Sequence, residues 1–179
     1  MKSIIAISAI VATTLAQAPP YFGVMSARSA SPIHLLPLTA RGGKFFLGGP
    51  GPSAYCPPQV GDACPPGNST VLAGGYGGLS LGVIVPGGQQ VYVAPDGTLG
   101  YTIAHSAYKP TGSVVDGWSR TEGDNFGNLA FTGGLYACPA SEGNGYQVFG
   151  GIGGVVFDPA CLGFNALTYN TTQAGAWQY

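Results

Sequence analysis

Charge is what this sequence has least of: only 7% of its 179 residues are Asp, Glu, Lys or Arg. The six basic residues are Lys2, Arg28, Arg41, Lys44, Lys109 and Arg120. They are scattered, and no cluster of them could neutralise a row of phosphates, which excludes nucleic acid as a partner. Long apolar runs are missing beyond the first 18 residues, so no later segment reads as a membrane span. The C-terminal AGAWQY also lacks the oily stretch of a lipid-anchor signal. Metal-ligand spacing is missing as well. His34 has no second ligand near it, and seven residues separate Cys56 from Cys64 with no second pair following. No metal and no cofactor is expected.

The N-terminus reads MKSIIAISAIVATTLAQA. One basic residue precedes an apolar run from Ile4 to Leu15, and small residues follow at Ala16-Gln17-Ala18. This is the pattern of a secretory signal peptide, residues 1–18, with a cut after Ala16 or after Ala18. Loss of Lys2 with the leader moves the formal charge from −1 to −2. Residues 19–179 then form one secreted domain, long enough for a sizeable core.

Glycine and hydrophobic residues are plentiful. The chain has 31 Gly and 15 Pro, yet 45% of it is hydrophobic. A disordered chain would be poor in apolar residues, so the glycines are read as serving many tight turns. Val91, Val93, Leu99, Tyr101 and Ile103 alternate within short runs, the period of a half-buried strand. Ala94-Pro95-Asp96-Gly97 between them is a hairpin turn. The unit Gly97-Thr98-Leu99-Gly100-Tyr101-Thr102 recurs as Gly127-Asn128-Leu129-Ala130-Phe131-Thr132, with a weaker copy at Gly78-Leu79-Ser80-Leu81. Further strands are expected at 21–27, 33–39, 44–47, within 71–85, and at 135–138, 146–149, 155–157 and 162–169. Residues 48–68 and the Gly150–Gly154 run read as loop and turn. The expected fold is all-β: a single compact antiparallel domain with Gly/Pro-rich loops, as a barrel, a trefoil-like form or a sandwich.

Outside the cell, four cysteines imply disulfides. Of the three possible pairings, Cys56–Cys64 as a local staple and Cys138–Cys161 between late strands are preferred. Asn68-Ser69-Thr70 and Asn170-Thr171-Thr172 are N-glycosylation sequons. Gly78-Leu79-Ser80-Leu81-Gly82 matches the hydrolase G-x-S-x-G, and Asp96 and His105 follow in triad order. That motif requires a strand–turn–helix elbow, whereas Ser80 lies in a period-two run. Asp116, Glu122 and Asp124 surround Trp118, but acids in a turn are ordinary, so no catalytic pair is assigned. A sugar-stacking role for Trp118 with Tyr108 is the more credible use of this region.

The leader, together with Tyr21-Phe22-Gly23-Val24, Ser31-Pro32-Ile33-His34, Gly88-Gln89-Gln90-Val91-Tyr92-Val93, Gly117-Trp118-Ser119, Leu129-Ala130-Phe131 and Ala137-Cys138-Pro139, resembles the fungal phialide cell-wall (PhiA-like) family. Some of its members are described as IgE-binding antigens. The resemblance implies a fungal source, release to the wall or medium, and roles in conidium formation or allergenicity. It brings no catalytic residues. The resulting expectation is a non-catalytic, secreted, wall-associated surface protein whose partners are wall polysaccharide or wall proteins. The alternative is a carbohydrate-binding or host-directed effector module. The oligomeric state stays open.

Overall fold

The computed structural model describes residues 21–179. The expected signal peptide, residues 1–18, and its cleavage point lie outside the described residues.

Eleven strands follow one another: β1 (Tyr21–Ala27), β2 (Leu38–Arg41), β3 (Lys44–Leu47), β4 (Leu72–Leu81), β5 (Val91–Val93), β6 (Leu99–Tyr101), β7 (Trp118–Thr121), β8 (Gly127–Phe131), β9 (Leu135–Pro139), β10 (Tyr146–Gly150) and β11 (Leu162–Thr171). The one helical element among the described residues is a short 3-10 segment, Pro58–Ala63. Every strand pairing is antiparallel, in the order β1-β4-β7-β8-β11-β9-β10-β3-β6-β5 with β2 on β3. The sheet curls into a half-barrel. At one end the pairings β1–β4, β4–β7, β7–β8 and β8–β11 return through β11–β1, so five strands close a ring.

β11 joins the two halves. Residues 165–171 pair with β1 and residues 166–168 with β8, while residues 162–164 pair with β9. The strand therefore changes partner between Phe164 and Asn165. Alternation decides what goes inside. Phe22 and Val24, Leu129 and Phe131, and Leu99 and Tyr101 are all buried at alternate positions, as a pleated strand requires. The repeated Leu-x-aromatic unit thus forms the same local structure twice, in β6 and β8.

The inside of the five-strand ring is not wholly apolar. Arg120 on β7 is buried. It donates from Nη2 to Asn170 Oδ1 at 2.6 Å, pairs with Glu122 at 3.4 Å and stacks over the Phe22 ring at 4.2 Å. β4 makes room for it: a Cβ at Gly75 would come within 2.8 Å of the Arg120 Cβ.

Cys56 is bonded to Cys64, eight residues on, and Cys138 to Cys161, twenty-three residues on. Chain entropy assigns about 2.5 and about 3.4 kcal/mol to the two closures.

Three expected segments differ. The strand at 33–39 begins only at Leu38. Residues 33–36 instead hook back onto β1, with the amide of Ser26 bonded to the Leu36 carbonyl and that of Leu35 to the Ser26 carbonyl. Leu35 adopts φ +59° in this hook, and Pro37 follows. Residues 155–157 are a loop, with Gly154 at φ +87° before them and Pro159 after. The polar stretch around Trp118 is a strand, β7, not a loop.

Candidate functional site

β9 alternates, with Leu135 and Ala137 buried and Tyr136 and Cys138 on the other face. Two residues apart on one strand, Tyr136 and Cys138 stand side by side. Each takes hold of the loop 151–161. Cys138 is bonded to Cys161 at the end of that loop. Tyr136 stacks on Phe157 within it, with ring centroids 4.4 Å apart at 26°. Phe149 on β10 meets Phe157 edge-on at 5.9 Å, backing the pair. A glycine-rich loop that would otherwise be loose is thereby fixed as a wall.

Opposite that wall lie the residues entering β7 and the β8–β9 turn. Between them is an open groove of about 660 Å3, bordered by Asp116, Thr132, Gly133, Tyr136, Gly151 and Phe157. Part of its lining is glycine backbone. A Cβ at Gly133 would collide with the Gly151 carbonyl, and one at Gly151 with the Gly133 carbonyl. Only glycine permits this approach. Thr132 anchors the rim, its amide and its Oγ1 both donating to the Gly117 carbonyl at 2.9 Å. Flat ring surface, a hydroxyl, exposed backbone and one carboxylate therefore border one depression. Such a surface can stack on the C–H face of a sugar and exchange hydrogen bonds with its hydroxyls.

The sequence-expected sugar site needs correction at Trp118. Its side chain is 3% exposed and packs on Phe131 at 4.9 Å. β7 alternates, with Trp118 and Arg120 inside and Ser119 and Thr121 outside, so the indole has no face for a ligand. Tyr108 is 77% exposed, in the segment between β6 and β7. Its neighbours include Tyr92, whose phenol is pushed above its ordinary pKa by burial first, then by Tyr108 and Asp96. Tyr108 does not border the groove.

The residues of the catalytic motifs fall in separate elements. Ser80 sits in β4, bridged to Gln90. Asp96 caps its own turn by accepting from the Thr98 amide at 2.9 Å. His105 lies in a separate turn at φ +62°. Asp116 precedes β7 whereas Glu122 follows it and pairs with Arg120, so these acids stand at opposite ends of a strand. Among the described residues no three His, Cys, Asp or Glu side chains gather as metal ligands, and no helix is long and apolar enough to cross a membrane. Both sequon asparagines are exposed.

Tyr136 and Phe157 carry the site, and sequence reasoning passed over both. The usable signal was Tyr136 two residues before a disulfide cysteine on a half-buried strand. That spacing puts the ring beside whatever the disulfide tethers.

A compact antiparallel β-domain with two disulfides and an open aromatic groove is the build of a small secreted protein. The PhiA-like secreted protein family matches residues 22–179, and the chain belongs to that family. A protein of Arthroderma benhamiae described as an uncharacterized secreted protein is 44% identical over 157 residues, which cover 80% of this chain and 77% of that protein. The cell wall protein phiA of Emericella nidulans is 28% identical, over 96% of this chain and 92% of its own length. No solved structure matches the chain.

Proposed function

We propose that the protein is a non-catalytic, wall-associated secreted protein that adheres to neutral wall polysaccharide through the groove at Tyr136 and Phe157. The observation that carries this reading is the stacked Tyr136–Phe157 pair bordering an open depression. The very low charge of the chain supports an uncharged partner, and the wall description of the Emericella nidulans relative supports the location. Asn68 and Asn170, both exposed, are proposed to carry glycans, which would supply the surface polarity that charge does not.

Co-sedimentation with insoluble β-glucan and chitin tests the reading. The protein is expected in the pellet. Tyr136→Ala, which removes one ring of the pair, is expected to weaken retention by a few-fold to tenfold, since aromatic contacts contribute about 0.5–1.5 kcal/mol. Equal retention of the variant, with unchanged far-UV circular dichroism, would refute the site. Absence of the protein from both pellets would refute the function.

A further inference from the structure

Tyr136 borders a second depression as well. This trough, of about 500 Å3, runs past Arg28, Ser29, Gly134, Tyr136, Gly163 and Asn165. It lies where β11 leaves β1 for β9: Ala27 is still paired with Asn165, and Leu135 with Phe164. Diverging partners open the sheet at that point. Tyr136 is common to the linings of the two depressions, and the consecutive glycines Gly133 and Gly134 border one each.

We infer that the two troughs form one cleft for a linear, uncharged polysaccharide, laid across Tyr136 with sugar units on both sides. This rests on the groove reading above. Each trough is within the size range that holds a small ligand, so a short oligosaccharide fills one and a longer chain occupies both. The second trough brings its own polar groups. Arg28 is fixed over its floor by donation from Nη1 to the Gly163 carbonyl at 2.6 Å. That bond takes one of five guanidinium N–H groups, and the exposed remainder faces sugar hydroxyls. Ser29 and Asn165, both exposed, add a hydroxyl and an amide. The cleft carries one cation, Arg28, and one anion, Asp116, in different troughs. Their charges cancel, which suits a neutral chain rather than an acidic or basic polymer.

The test is titration of the full secreted chain with soluble β-glucan oligosaccharides of increasing length, followed by calorimetry. Affinity is expected to rise with length and level off once both troughs are filled, a gain of roughly tenfold for one further set of contacts. Ser29→Trp places bulk in the second trough from an exposed loop, away from Phe157. It is expected to bring the long oligosaccharide down to the affinity of the short one and to leave the short one unchanged. Asn165→Trp repeats the block from β11 should the first variant express poorly. Equal affinity for long and short oligosaccharides would overturn the extended cleft while leaving the groove intact, as would a blocked variant that still prefers the long chain. Failure of every oligosaccharide to bind the unmodified protein would overturn both readings.

Discussion

Arg120 offers the sharpest check on how this fold is held together. Its side chain is 1% exposed. Taking a guanidinium out of water costs several kcal/mol even after relaxation. What it receives in return is modest. One hydrogen bond reaches Asn170, one ion pair at 3.4 Å reaches a Glu122 side chain that is 55% exposed, and one face lies on Phe22. Its Nε and Nη1 are buried without a hydrogen-bond partner among the described residues. A half-exposed carboxylate contributes about 0.2–1 kcal/mol through such a pair, and the ring adds about 0.5–2 kcal/mol. The charge therefore does little more than break even.

The long aliphatic stem does more, because it fills the ring beneath Phe22 and against Gly75. Arg120→Met keeps the stem and discards the charge and its orphaned donors. It is expected to leave stability within about 1 kcal/mol of the parent, or to raise it. Arg120→Ala discards both and is expected to lose about 2–4 kcal/mol to the cavity. Glu122→Gln is expected to lose no more than about 1 kcal/mol. Urea unfolding at neutral pH reads all three. A loss above about 2 kcal/mol for the methionine variant would show that the buried charge is a net stabiliser and would refute the accounting.

Tyr179 gives a pH prediction. Burial pushes its phenol from 10.0 up to about 12, while its hydroxyl accepts from the Val71 amide and donates to the Ser69 carbonyl. The unfolded chain loses its proton first, so the stabilisation is complete below about pH 10 and drains away as pH rises towards about 12, by at most about 1.4 kcal/mol per pH unit. Tyr179→Phe should cost about 1–3 kcal/mol at neutral pH by orphaning the buried Val71 amide and should flatten the alkaline limb of thermal unfolding; an unchanged limb would count against it. Replacing Cys138 and Cys161 together by serine should lower stability by about 3.4 kcal/mol and release the loop bearing Phe157, so glycan retention should fall with it. Retention unchanged in a destabilised variant would show that the disulfide does not shape the groove.

Much of the architecture was legible because it obeys period two. Pro95-Asp96-Gly97 marks the β5–β6 turn, Gly97 carrying φ +84°, and Val91, Val93, Leu99 and Tyr101 pair across it as read, whereas Ile103 lies beyond β6 and is exposed. β7 was missed for a physical reason. A strand whose inward residues are Trp118 and Arg120 presents a buried charge where the pattern expects an apolar residue, so the stretch imitates a polar loop. The same misreading put Trp118 on the surface. At 155–157 the error runs the other way: Val155 and Val156 suggest a strand, yet Val156 is 95% exposed and the segment pairs with no strand among the described residues. Of the groove, local pattern marks only Tyr136 beside Cys138, because Phe157 is brought to it by a disulfide and a ring contact.

The place of the cleft follows from the topology. A strand of ten residues that serves two parts of a sheet must change partners somewhere, and β11 does so between Phe164 and Asn165. At such a point the flanking strands separate, so side chains and backbone that would be covered within a continuous ladder face solvent. A chain with almost no charge lines that opening with one ion of each sign, Arg28 and Asp116. The rest is glycine backbone, hydroxyls, an amide, apolar side chains and the ring of Tyr136. Those are the groups by which a neutral polymer is held. They are also groups that screen poorly with salt, since no net charge is involved. Retention on polysaccharide that survived high ionic strength would accord with this origin of the site, whereas release by salt would assign binding to the few scattered lysines and arginines.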